Sequence, residues 1–243
     1  ESEIVFVNLA KYSNDPVQHI INLSKKYSGI CLFLPNLEKI DYKRIRQGVG
    51  KYPIISLTPM KNPTIDTVSF DSYSGGYMIA KHFEEQGYKN FGIVSGPGDA
   101  VDAVFRKNGF VDHISEKEDL KLVWEYKGDF SSESGRDAFN DYKNQNIPDM
   151  AIFGCNDHTC FGFMKRALEA GYKIPKDFII AGYDNLSFCD NFTPELTSVA
   201  TDFDILGKRA IRTIENMVND SNEIIRQFSM VPVEIVIRSS TQN

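Results

Sequence analysis

Short apolar runs alternate with helical patterns along most of the chain. The runs fall at residues 4–9, 29–34, 53–57, 67–70, 91–95, 122–126, 150–154, 178–182 and 231–237. Several are continuous β-branched or aromatic stretches rather than strict alternations. Strands buried on both faces of a parallel sheet read that way. Between the runs, apolar residues recur at helical spacing. Asp15 and Pro16 open one helix as N-cap and first-turn proline. Tyr77, Ala80 and Phe83 form a stripe that Gly87 ends. Phe161, Met164 and Leu168 form another, ended by Gly171 and then Pro175, and Leu206, Ala210, Ile214 and Met217 form a further one. Core packing is the role predicted for each stripe.

Strands and helices alternating at this spacing predict right-handed crossovers, hence an α/β architecture of open parallel sheets with helices on both faces. The runs are too many for one compact half, so two α/β lobes are expected. No Pro/Gly/Ser-rich linker separates them, which predicts brief crossovers of the kind found in hinged ligand-binding proteins. The predicted first lobe takes residues 1–89 and 198–218, and the second takes 90–197 and 226–243. The crossings are expected near 89–90, 196–197 and 219–225.

Charge narrows the range of partners. The 243 residues carry 27 Lys and Arg against 33 Asp and Glu, a formal net charge of −6. Neutralising nucleic-acid phosphates needs a basic face, so direct contact with DNA is not expected. The densest basic stretch, 39–51, reads as a solvated helix face. The longest apolar runs fall far short of the ~20 residues that span a membrane. The first residues show no basic segment leading into an apolar one, and a cytoplasmic protein without a membrane partner is expected. Cys31, Cys155, Cys160 and Cys189 form no C-x-x-C and no metal spacing, which predicts buried, reduced thiols.

Catalytic motifs are missing from the sequence. His19, His82, His113 and His158 share no metal spacing, and His82 is expected on a helix surface. There is no G-x-S-x-G elbow and no phosphate-binding P-loop. Ser95-Gly96-Pro97-Gly98 follows a strand but lacks the third glycine of a dinucleotide fingerprint. No enzyme, cofactor or metal is therefore expected. What remains are polar residues just past strand ends: Asp71, then Asn156-Asp157, then Asp184-Asn185. Open α/β sheets bind ligands at that edge. Such residues can ligate metal, exchange protons, accept hydrogen bonds from a polyhydroxy ligand, or only cap helices.

The ordered motifs resemble the lactose-repressor (LacI/GalR) family of bacterial transcription regulators. Val68-Ser69-Phe70-Asp71 followed by Gly75-Gly76-Tyr77, then Gly87-Tyr88, carries the first part of the likeness. Arg106-Lys107-Asn108-Gly109-Phe110, Gly128-Asp129-Phe130 and Cys155-Asn156-Asp157 continue it. The most specific segment runs from Ile174-Pro175-Lys176-Asp177 through Ala181-Gly182-Tyr183-Asp184-Asn185 to Pro194-Glu195-Leu196-Thr197. The resemblance implies a two-lobed periplasmic-binding-protein-like fold. That fold closes on a small effector, usually a sugar or sugar phosphate and in some members a nucleobase. It also implies a homodimer that controls a separate N-terminal helix-turn-helix on operator DNA. Carried over, Arg106 and Asn156 contact the effector, Asp184 accepts from ligand hydroxyls, and Phe130 packs on the ligand. Asp71 stands at the mouth of the first lobe, to bind or to cap.

Two departures from the family pattern are expected. No helix-turn-helix precedes Glu1, so operator DNA is a partner only through that absent domain. The first strand and helix of the first lobe are expected to be missing, since residues 4–9 resemble the family's second strand. A sugar-binding protein of an uptake system shares the implied fold and stands as the alternative. Repressor or activator role and effector identity do not follow from the sequence.

Overall fold

The computed structural model describes residues 3–9, 15–34, 39–60, 63–145, 147–219 and 228–242. In chain order the elements are α1 (Pro16–Leu23), β1 (Ile30–Leu32), α2 (Lys39–Val49), β2 (Ile54–Ser56), β3 (Asp66–Phe70), α3 (Ser72–Glu85), β4 (Asn90–Ser95), α4 (Val101–Ser115) and β5 (Lys121–Lys127). Then follow α5 (Ser132–Lys143), β6 (Met150–Gly154), α6 (Asp157–Glu169), β7 (Phe178–Asp184), β8 (Thr197–Ala200), α7 (Phe203–Asn219), β9 (Phe228–Val231) and β10 (Glu234–Val236). They fall into two units, Glu1–Ser69 with Asp204–Met230 and Phe70–Phe203 with Val231–Asn243.

The first unit holds a sheet in the order β1-β2-β3-β9, parallel from β1 through β3. The predicted cap is in place: the Asp15 side chain accepts from the Gln18 amide at 3.0 Å, with Pro16 in the first turn. Val17 and Ile20 from α1, Tyr42 and Ile45 from α2, and Leu32, Ile54 and Ile65 make the core. Residues 3–8 form no strand, against expectation, and Phe6 is 94% exposed. An apolar run becomes a strand only where another strand offers it a continuous ladder. Cys31 is also exposed rather than buried, on the end strand of its sheet.

The second unit holds a sheet in the order β10-β8-β7-β6-β4-β5, parallel except for antiparallel β10. Period two along its strands builds two cores. Met150, Ile152, Phe178 and Ile180 face Phe139, Tyr142, Phe163 and Met164 of α5 and α6. Ala151, Phe153, Ile179, Ala181 and Tyr183 face Ile79, Phe83 and Phe110 of α3 and α4. This explains the continuous apolar runs, because both faces are covered.

The helices pair closely through reciprocal glycines. A Cβ on Gly76 would stand 1.9 Å from the Arg106 carbonyl oxygen, and one on Gly109 would stand 1.9 Å from that of Tyr73. Gly135 and Gly162 bring α5 and α6 equally close. The α3/α4 crossing is the physical reason the unit boundary departs from 89: α3 packs with α4 and so belongs to the second unit. β8 belongs there too, paired with β7, so the return falls after 203 rather than at 197. Most of the crossing expected at 219–225 lies outside the described residues. The run at 231–237 splits into β9 and β10 around Pro232, which has no amide hydrogen for a ladder.

His82 is not on the surface. It is 4% exposed, and its Nε2 lies 2.9 Å from Thr241 Oγ1. Burial pushes its pKa below the ordinary histidine value.

Candidate functional site

β7 ends in a turn that no ordinary side chain favours. Asp184 has φ 107° and Asn185 has φ 52°, both in the left-handed region. Several groups hold this turn. The Asn185 amide donates to Ser198 Oγ at 3.0 Å, and the Leu186 amide donates to Asp157 Oδ2 at 2.8 Å. Thr201 Oγ1 donates to the Asp184 carbonyl at 3.1 Å, and Arg238 Nη2 donates to Asn185 Oδ1 at 2.8 Å.

The turn delivers the Asp184 carboxylate to Arg106 on α4. Arg106 Nη2 lies 3.0 Å from Asp184 Oδ1, with the two side chains 10% and 25% exposed. Arg106 Nη1 donates to the Cys155 carbonyl at 2.6 Å. Its Cζ sits 3.8 Å from the centre of the Tyr183 ring and 5.8 Å from that of Phe130. Its Nε is buried and has no hydrogen-bond partner among the described residues. Burial is the largest influence on Arg106 and opposes its charge, but Asp184, Tyr183, Asp102 and Cys155 together outweigh it, so its pKa is raised. Asp184 is itself raised, because burial outweighs the help it receives from Arg106.

Phe130 is a third non-glycine residue with positive φ, at 71°. Asn156 holds it: Asn156 Nδ2 donates to the Phe130 carbonyl at 2.9 Å. The Phe130 ring fills the space above Gly96, where a Cβ would stand 2.3 Å from the ring. The glycine that looked like a broken nucleotide fingerprint therefore serves as a seat for an aromatic ring.

Arg106, Asn156, Phe130 and Asp184 are thus brought together within the second unit, and their side chains have different jobs. Asn156 is 7% exposed and caps α6, with its Oδ1 accepting from the Thr159 amide at 2.9 Å. Both ends of its amide serve the fold. Asp71 is engaged as a cap as well: one oxygen accepts from the Ser74 amide at 3.0 Å and the other from Ser74 Oγ at 2.7 Å. The structure shows Asp71 capping α3, and its backbone amide donates to the Val231 carbonyl at 2.9 Å.

Sequence reasoning gave no role to Tyr183, the face on which Arg106 lies, and named Asp157, the buried anchor of the turn, only among the polar residues past strand ends. Both stand inside motifs quoted for the resemblance, so the signal was present without a role attached. Asp157 is 0% exposed, and burial pushes its pKa up to about 6 despite the hydrogen bonds it accepts. Among the described residues no group of three or more His, Cys, Asp and Glu could hold a metal ion. No helix among them is long and apolar enough to cross a membrane.

A family model described as a periplasmic binding protein-like domain matches residues 80–241. The repressor PurR of the helix-turn-helix type from Mannheimia succiniciproducens is 30% identical over 240 residues, 96% of this chain and 71% of that protein. PurR from Haemophilus influenzae is 27% identical over 241 residues, 97% of this chain and 72% of that protein. The lac repressor dimer bound to operator and an anti-inducer is similar in fold, with TM-score 0.83 at 22% identity, covering 94% of this chain and 79% of that one. A LacI family regulator from Enterococcus faecalis, solved with bound ribose, gives TM-score 0.79 at 25% identity over 98% of this chain and 86% of that one.

Proposed function

The chain belongs to the lactose-repressor family of transcription regulators, as a periplasmic-binding-protein-like effector domain, and from that premise we propose that it senses an uncharged, hydroxyl-rich small molecule of the sugar class. Arg106, Asp184 and Phe130 are the contacts. The observation that carries this reading is the buried Arg106 Nε, a donor without a partner among the described residues, beside a carboxylate that keeps 25% of its side chain exposed. A buried donor without a partner costs ~1–3 kcal/mol, which a ligand oxygen would recover. A carboxylate accepts from two neighbouring hydroxyls, and an aromatic face suits the C–H side of a sugar ring. Asn156 acts by setting Phe130, and Asp71 is left as a cap.

Charge favours a neutral effector over a sugar phosphate. Arg106 already faces Asp184 at 3.0 Å and also feels Asp102, so it offers no surplus positive charge to a group carrying about −1.5 to −2. A thermal-shift screen tests this with matched pairs: ribose and ribose 5-phosphate, glucose and glucose 6-phosphate, together with free nucleobases. An effector at 100 times its dissociation constant adds ~2.7 kcal/mol, which raises the melting point by roughly 5–10 °C for a chain of this size. A neutral sugar giving that rise supports the reading. A rise from a phosphate ester alone, or from a nucleobase alone, overturns the effector class.

In our reading the bound effector alters the operator affinity of a helix-turn-helix domain, and the protein works in the cytoplasm as a homodimer. The relatives are named as repressors, which favours this over a sugar-uptake role. Four free cysteines, three of them buried, suit a reducing compartment. The 243-residue chain is expected to run as a dimer by light scattering at micromolar concentration and to leave operator DNA unshifted at physiological salt, given its net charge of −6. A monomer mass contradicts the first part, and sequence-specific DNA binding by the chain alone contradicts the second.

A further inference from the structure

Asp157 is a buried acid that no step described so far uses. It is the first residue of α6, yet the N-cap of that helix is Asn156, so Asp157 is not needed for capping. Its carboxylate collects three donors instead. Ser198 Oγ donates to Oδ1 at 2.6 Å, the Leu186 amide to Oδ2 at 2.8 Å, and Cys189 Sγ to Oδ2 at 3.3 Å.

Two of those contacts converge on the turn that carries Asp184. The Leu186 amide is held directly. The Asn185 amide is held through Ser198, whose hydroxyl accepts from that amide at 3.0 Å and donates a hydrogen bond to Asp157. Both amides after Asp184 are therefore fixed by one carboxylate, at the place where two successive residues have positive φ. The carboxylate is seated against β7 by a missing side chain: a Cβ on Gly182 would stand 2.3 Å from Asp157 Oδ1. An ionisable group with no exposed surface is an expensive way to fill space, and an apolar residue of similar volume would pack more favourably.

Resting on the reading of Asp184 as an effector contact, we propose that Asp157 is the positioning residue of the site: it clamps the left-handed turn after β7 and so sets where Asp184 meets Arg106. Asp157 does not touch the effector. It acts through the Leu186 and Asn185 amides, and its removal releases Asp184 from Arg106 while α6 keeps its cap.

The test needs no effector. In the intact chain, solvent exchange of the Arg106 side-chain N–H protons is followed by nitrogen-15 NMR, alongside the melting point of the same variants. Asp157→Ala is expected to speed that exchange by about tenfold or more, as Asp184→Ala does, because the ion pair opens. Asp157→Asn is expected to restore slow exchange: its oxygen can accept from the Leu186 amide and its NH2 can donate to Ser198 Oγ. Ser198→Ala removes half of the clamp and is expected to speed exchange by a smaller factor, which keeps the test decisive if Asp157→Ala does not fold. Slow exchange retained in Asp157→Ala, or in Ser198→Ala where the other is unfolded, overturns the proposal. So does fast exchange in Asp157→Asn at an unchanged melting point. A failed effector screen sinks the sensing function without altering these rates, so the two failures are distinguishable.

Discussion

Gly76→Ala is expected to be among the most damaging single-methyl changes in the second unit. The added Cβ would stand 1.9 Å from the Arg106 carbonyl oxygen and 2.8 Å from its carbonyl carbon. Those atoms are α4 backbone, so no side chain can swing away, and the helices must separate. Separation loosens Phe83 against Phe110, whose rings lie 6.2 Å apart. Overpacking of this kind costs about 3 kcal/mol, which lowers the melting point by roughly 6–12 °C. The carbonyl pushed aside belongs to Arg106 itself, so effector affinity is expected to fall together with stability. Gly87→Ala is the control, since nothing lies within 4 Å of a Cβ there and only its φ of 87° resists. Chemical denaturation of the two variants measures the difference. A Gly76→Ala protein as stable as Gly87→Ala would show that the crossing is looser than described.

The sheet of the second unit was legible because its strands are covered on both faces. Continuous runs such as Met150–Gly154 and Phe178–Asp184 can hardly be anything but central parallel strands. Local patterning was least informative where the outcome depends on a neighbour. The run at 4–9 has the composition of a strand but forms none. α3 reads as an ordinary amphipathic helix, and its allegiance was decided by Gly76 and Gly109, whose meaning appears only when two helices touch. His82 sits on that helix at a position that could face either way. Its partner Thr241 is 159 residues further on, beyond any local pattern.

Much the same division holds for the site. Motif order singled out Arg106, Asn156, Phe130, Asp184 and Asp71; the structure brings the first four together and sets Asp71 at the start of α3. It was not enough to tell contact from support. Asn156 and Asp184 are both polar residues just past a strand, yet one has both ends of its amide engaged by Phe130 and Thr159 while the other is partly open. Asp157 shows the limit most clearly. Its three donors come from residues 186, 189 and 198, and only the folded turn places them around one carboxylate.

Arg106→Ala should weaken effector binding and also weaken the fold, and pH separates the two effects. Without the guanidinium, the Asp184 carboxylate stays largely buried with its partner gone. Breaking a buried ion pair costs ~3–5 kcal/mol, and the 25% exposure of Asp184 reduces this to about 2–3 kcal/mol. Asp184 already has a raised pKa through burial, and losing Arg106 raises it further. An acid whose folded pKa lies above its unfolded value binds more protons when folded, so its penalty grows as pH rises through that interval and vanishes below it. The stability deficit of Arg106→Ala is therefore expected to be full at neutral pH and to shrink on acidification towards the ordinary aspartate range. Asp184→Asn instead leaves the more deeply buried Arg106 guanidinium without its carboxylate, so its deficit should be at least as large, and because arginine stays charged throughout this range the deficit does not shrink on acidification in this way. Effector affinity behaves differently. Each substitution removes a charge-assisted hydrogen bond worth ~1.5–3 kcal/mol, a ten- to hundred-fold loss. For Arg106→Ala that loss should persist at acid pH, where the fold has recovered, because protonating Asp184 cannot replace the missing donor. Calorimetric titration at two pH values checks it, and effector affinity unchanged in Arg106→Ala would overturn the assignment of the site.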